Sequence, residues 1–259
     1  MDIIRVENEG YAQYEEMLLR RDKLRKEAYI LQGRFMKEFG DLITAVFEKK
    51  ISCIQKKKTI AFCQLAVNRG TSIDQSALQA YIQKEMAKYK WQLKQMIDEN
   101  DAAHQMTEIP PEDVAKIKKI YHRLAKNLHP DINPKTNEIE GLQILWNMVV
   151  TAYRSNSLED MEEAEILVNR ALKEHHISGM TIEIPNLDEK IAKVKEDIRQ
   201  IKSTNPYQYR YLLADRERMR EQRESLRKEL EEYEKYEKEL DQIMEQLLGE
   251  GVKITWRMN

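Results

Sequence analysis

The segment 121–134, YHRLAKNLHPDINP, places the strongest constraint on how this chain can fold. Pro130 cannot donate a backbone hydrogen bond and biases His129 away from helical angles, so a helix that reaches it ends near Leu128 or His129. Upstream, Val114, Ile117, Ile120, Tyr121, Leu124, Ala125 and Leu128 recur at helical spacing and form one apolar stripe. Lys116, Lys119, His122, Arg123 and Lys126 project from the opposite face, with Asn127 at its edge and Lys118 on a flank. A second stripe follows at Leu142, Leu145, Trp146, Val149, Ala152 and Tyr153. Two such helices joined by a short polar connection are expected to pack antiparallel, which would leave His129 and Asp131 on an exposed corner.

Residues 117–134, IKKIYHRLAKNLHPDINP, together with the later helix carrying Trp146, Val149 and the Ala152-Tyr153 pair, resemble the J domain of the DnaJ co-chaperone family. The resemblance covers residues 112–172. It implies that the His-Pro-Asp turn connects two antiparallel helices. It also implies that the basic first helix docks on the ATPase domain of a DnaK-type heat-shock chaperone and that the turn stimulates ATP hydrolysis there. By that likeness His129, Pro130 and Asp131 are the signalling turn, and Lys119, His122, Arg123 and Lys126 are its cationic flank. The chain departs from the family pattern at Asn127 and Leu128, at Ile132 after the aspartate, and at Asn156. The family's opening helix is also not visible; the C-terminal half of the helical stretch 76–104 is the expected substitute.

The remainder reads as long helices. Tyr14, Met17, Leu24, Ala28, Leu31, Phe35 and Leu42 recur at three- and four-residue steps, with Arg21 in the same register. Helical spacing continues past Gly40-Asp41 to Val67, with a stop at 68–70 and a cap for the next helix at Thr71 or Ser72. Pro110-Pro111 breaks the helix before the basic one, and Pro111-Glu112-Asp113 suits a first turn, where amides are free and the dipole favours negative charge. Residues 158–172 make a further amphipathic helix, with His175 and His176 at its end. Beyond them, Leu187, Ile191, Val194, Ile198 and Ile201 form one seam, and Met219, Leu226, Leu230, Tyr233, Leu240, Met244 and Leu247 another, across a turn at 203–206. These predict an antiparallel coiled-coil hairpin whose longer arm joins the N-terminal seam or a second copy of the chain in a homodimer. A minor ribbon is expected between Met180, Ile182 and Ile184 and Val252, Ile254 and Trp256.

The expected organisation is therefore all-α in three consecutive parts: an N-terminal helical segment (1–70), a J-like helical domain (71–175) and a C-terminal coiled-coil hairpin (176–259). Forty-three basic residues nearly cancel forty-five acidic ones, so no whole-chain field favours nucleic acid or a membrane surface. Lys56-Lys57-Lys58 reads as a solvated helix face, without the interleaved aromatics of a nucleic-acid platform. Cys53 and Cys63 are ten apart, a spacing that suits neither a metal knuckle nor a redox pair, and both are expected reduced, as in the cytoplasm. No glycine-rich phosphate loop, nucleophile elbow or metal-spaced cluster accompanies His129 and Asp131, so no enzyme and no cofactor is expected. The reading is a co-chaperone or adaptor that meets a chaperone through the turn and a client or partner protein through the coiled coil. The alternative is a non-catalytic helical scaffold with the same local fold.

Overall fold

Gly40 does not interrupt the first helix: α1 runs from Glu9–Asn68 in one piece in the computed structural model, which describes residues 4–5, 9–106, 109–175, 181–182, 184 and 186–249. It stops where a stop is expected. Gly70 takes φ +64, and the amides of Gly70 and Thr71 bond back to the carbonyls of Val67 and Ala66 at 3.0 Å each. The next helix, α2 (Gln75–Gln105), is capped by Asp74 rather than by Thr71 or Ser72; its carboxylate accepts the Ala77 amide at 3.0 Å. The remaining helices are α3 (Pro111–Leu128), α4 (Lys135–Glu138), α5 (Glu140–Ser155), α6 (Leu158–Glu174), α7 (Leu187–Ser203), α8 (Tyr209–Leu213) and α9 (Arg216–Leu248). The described chain is all-α apart from one two-residue pair. There β1 (Ile4–Arg5) lies parallel to β2 (Thr181–Ile182). Ile182 pairs with Arg5 near the N-terminus; the mate expected for it in the predicted ribbon, Val252 to Trp256, lies outside the described residues, as does His176.

The contacts sort into two compact units that are discontinuous in sequence: Met1–Gln32 with Thr107–Arg210, and Gly33–Met106 with Tyr211–Asn259. They cut across the three consecutive parts read from the sequence, because α1 supplies residues to both.

In the first unit, the two predicted stripes meet. Ile117, Tyr121, Leu124 and Leu128 of α3 pack with Leu142, Trp146, Val149 and Tyr153 of α5, and Met161, Ala164 and Val168 of α6 complete the core. Ile117, Leu128, Leu142 and Val149 are fully enclosed, and each such aliphatic side chain contributes about 1.5–3 kcal/mol relative to exposure. The connections are locally specified. Pro111 opens α3 with Glu112 and Asp113 in its first turn, Asn156 closes α5 at φ 57, and the Ser157 hydroxyl accepts the Asp160 amide to start α6. A second cluster joins Tyr14, Leu18, Leu24 and Ala28 of α1 to Ile191, Val194 and Ile198 of α7. The helix laid beside the α3–α5 pair from the N-terminal side is thus α1, whose Leu19 packs against the first core. The stretch 76–104, expected in that place, belongs to the other unit.

In the second unit, Ile51 and Cys63 of α1 meet Leu78, Ile82 and Met86 of α2, with Leu247 and Leu248 of α9 against them. A side chain at Gly40 would collide with Asn100, so glycine there permits the close approach of α1 to α2. Lys49 and Lys56 of α1 reach Glu237 of α9 at 2.8 and 3.2 Å. Cys53 and Cys63 are free and buried. Among the described residues, no helix is long and apolar enough to cross a membrane.

Candidate functional site

The His-Pro-Asp turn is built from its own backbone. The His129 amide closes α3 on the carbonyl of Ala125 at 3.0 Å, and the His129 carbonyl accepts the amides of Ile132 and Asn133 at 2.8 and 2.7 Å. The Asn133 side chain braces it from inside, donating to the Asn127 carbonyl at 2.9 Å and accepting the Lys135 amide at 3.1 Å. The Asp131 amide donates to His129 Nδ1 at 3.0 Å. A neutral imidazole carries one N–H, so this bond leaves the proton on Nε2.

That Nε2 does not face solvent. His129 is 3% exposed, its ring edge-on to Trp146 with centroids 4.8 Å apart. Its Nε2 lies 3.4 Å from Asp22 Oδ2 and 3.1 Å from Arg21 Nη2. Both belong to α1. The expectation that His129 and Asp131 stand on an exposed corner is therefore corrected: His129 is buried, and only the Asp131 side chain, 44% exposed, reaches outward. The physical reason is charge. Arg21 places one guanidinium nitrogen 3.1 Å from Asp131 Oδ2, and the same group meets Asp22 at 3.2 Å and Asp197 of α7 at 3.8 Å. α1 thus supplies a cation for the turn's carboxylate and a carboxylate for its imidazole.

Asp22 is the centre of this network. It accepts the Tyr121 hydroxyl at 2.7 Å in addition to its contacts with Arg21 and His129. Burial pushes its carboxyl up, but the bond to His129, the charge of Arg21 and the Tyr121 hydroxyl outweigh it and hold the pKa at about 2. Tyr121 stacks on Tyr153 at 3.9 Å between centroids. Burial first, and then the Asp22 charge, push its phenol far above the ordinary value. The same two causes raise Tyr153 to about 12. Lys26, buried with its ammonium 4.0 Å over the Tyr153 ring, is lowered by burial to about 8.

The predicted cationic flank is only partly open. Lys119 is exposed. Lys126 pairs with Glu15 of α1 at 3.2 Å, and Arg123 donates to Glu165 of α6 at 2.6 Å. His122 is half-buried, and burial, followed by the charges of Lys118 and Lys126, lowers its pKa. Pro130 is half-buried within the turn.

Asp22 and Asp197 carry no mark in the sequence pattern, and Arg21 stands out there only by its register. It occupies an apolar position on α1 between Met17 and Leu24, and a charge at such a position needs a buried partner. Among the described residues, no group of three or more His, Cys, Asp and Glu side chains is placed to hold a metal.

Comparison with known protein families, with curated proteins and with solved structures returned no match.

Proposed function

We propose that this chain is a non-catalytic helical scaffold or interaction protein that keeps a J-like hairpin and uses its His-Pro-Asp turn as an internal joint. One observation carries the reading: His129, 3% exposed, is enclosed by Arg21, Asp22 and Trp146 of its own chain. A turn that signals to another protein's nucleotide site must present its imidazole and carboxylate outward. Here the imidazole is spent on an internal carboxylate, and two of the flank's cations are paired at home.

The test is steady-state ATP turnover by DnaK-type chaperones from the same cell. The scaffold reading expects no stimulation by the wild-type chain and a lowered melting temperature in His129→Gln. Stimulation by the wild-type chain, lost in a folded His129→Gln variant, would overturn it.

A second reading is kept by a specific observation: Asp131 is 44% exposed, and Lys119 of α3 is exposed. In this reading the turn is competent for a chaperone once α1 withdraws. Arg21→Met combined with Asp22→Asn uncovers the turn with little change in volume. Stimulation that appears only in that variant favours the second reading, and none in either form favours the first.

A further inference from the structure

A cavity of about 800 Å³ opens beside the turn, walled by α1, α5 and α7 of the first unit. Its volume falls in the range of small-molecule sites, roughly 300–1,000 Å³. Five cations line it: Arg21, Arg25, Arg154, Lys190 and Lys193. Three carboxylates face them: Asp22, Asp131 and Asp197.

The pairing between the two sets is uneven. Arg21 lies within 4 Å of all three carboxylates, at 3.2, 3.1 and 3.8 Å. Arg25 shares two of them, Asp22 at 3.8 Å and Asp197 at 3.9 Å. The carboxylates are thus spoken for by the two arginines of α1. Arg154 at the end of α5 and Lys190 and Lys193 on the first turns of α7 line the same cavity without a carboxylate partner among the described residues. Lys190 and Lys193 are three apart on one helix face, and Arg154 lines the same cavity from another element. Burial, and then the charges of Arg21 and Arg154 against the opposing carboxylates, lower the pKa of Arg25, as expected where cations converge on one space.

Cations gathered round a recess repel one another unless an anion enters. A ligand with two or more phosphate charges matches the arrangement, since guanidinium and ammonium groups on separate elements can each take a different oxygen. We propose that this cavity binds a multiply phosphorylated small molecule, its phosphates held between Arg154 of α5 and Lys190 and Lys193 of α7, with Arg25 behind them. Trp146, Val150 and Val194 give the cavity an apolar wall on which a ring can rest. The charge could therefore come from inorganic pyrophosphate or from a nucleotide. The proposal is independent of whether the turn engages a chaperone.

The test is calorimetric titration of the full chain with pyrophosphate and, separately, with ADP in the absence of divalent metal. Trp146 fluorescence is followed in a background of Trp91→Phe and Trp256→Phe. Saturable binding at one site is expected, weakened about tenfold or more by Arg154→Ala with Lys193→Ala. Both residues are exposed, and unchanged helical circular dichroism checks that the double variant folds. Lys195→Ala, an exposed cation on α7 outside the cavity, is expected to leave the affinity within twofold. ADP binding at least tenfold tighter than pyrophosphate assigns the nucleotide as source, and equal affinity assigns the phosphate group alone. Absence of saturable binding, an unchanged affinity in the folded double variant, or an equal loss in Lys195→Ala would each overturn the site.

Discussion

Asp22 in the first unit and Glu237 in the second are both carboxylates drawn out of water between long helices, and both are held at about pKa 2. In each, burial pushes the carboxyl up and hydrogen-bond donors pull it down further. Their surroundings differ. The partners of Asp22 are Arg21, Tyr121 and His129, and all three are enclosed. The partners of Glu237 are Ser52, Lys56 and Lys49, whose side chain is 39% exposed, so water can replace a lost donor. Equal acidity therefore conceals unequal dependence: the first carboxylate organises a core, and the second fastens one helix to another near the surface.

The comparison breaks most visibly at Arg21. Arg21→Met leaves Asp22 buried with one donor fewer and strips the turn's Asp131 of its counter-ion. Removing one member of a buried charge network costs about 3–5 kcal/mol. Urea unfolding followed by Trp146 fluorescence should show that loss, and a change below about 1 kcal/mol would mean that the network is not the centre of the first unit. Lys49→Ala, a half-exposed partner in the second unit, should cost under about 1 kcal/mol in urea unfolding followed by Trp91, which lies in that unit.

Tyr121→Phe sharpens the contrast at the level of one atom. It removes the hydroxyl that donates to Asp22 at 2.7 Å while keeping the ring stacked on Tyr153. Leaving a buried acceptor short of one donor costs about 1–3 kcal/mol. The Asp22 carboxyl should also titrate closer to its ordinary value, which side-chain NMR of the carboxyl carbon would read.

How much of this could be read from the residues alone divides along the same line. The paired stripes of α3 and α5, the stop at Pro130, the start at Pro111 and the stop after Val67 were legible, because each depends on local spacing or on the backbone chemistry of proline and glycine. That the chain is all-α followed from its apolar periodicity. The placement of His129 was not legible, since its burial depends on Asp22, more than a hundred positions away. Neither was the division into units, because a helix as long as α1 presents one continuous register while its two ends belong to different cores. The charged Arg21 within that register was the trace of the buried network, and only packing showed what it meets.

Acid should separate the two regions next. The folded pKa of Asp22 is about 2 against 3.8 for the ordinary carboxyl, so its contribution is present above about pH 4 and is lost as pH falls through about 2. The linkage is about 2 kcal/mol. Glu237, lowered from 4.5 to about 2, has the same sign and an overlapping window. Asp22→Asn should therefore flatten the acid limb of the stability profile seen by Trp146, and Glu237→Gln should leave that probe's limb in place. If Glu237→Gln flattened it equally, the difference in surroundings would carry no energetic meaning.

A small effect of the opposite sign lies at Lys26, which is buried beside the network yet lacks an acidic partner of its own at ion-pair distance among the described residues. Its folded pKa of about 8 lies below the ordinary 10.5, so between those values the unfolded chain binds more protons than the folded one. Stability should rise with pH across that window, the reverse of the slope expected from a lysine gaining a partner. At neutral pH the charged side chain opposes folding, partly offset by the Tyr153 ring 4.0 Å below it, worth about 0.5–2 kcal/mol. Lys26→Met keeps the volume and removes both effects, so a net gain of about 1 kcal/mol is expected at pH 7, disappearing by pH 10.5. Chemical denaturation at the two pH values measures it. A loss at pH 7 would show that the ammonium over the ring does more for the first unit than its desolvation takes away.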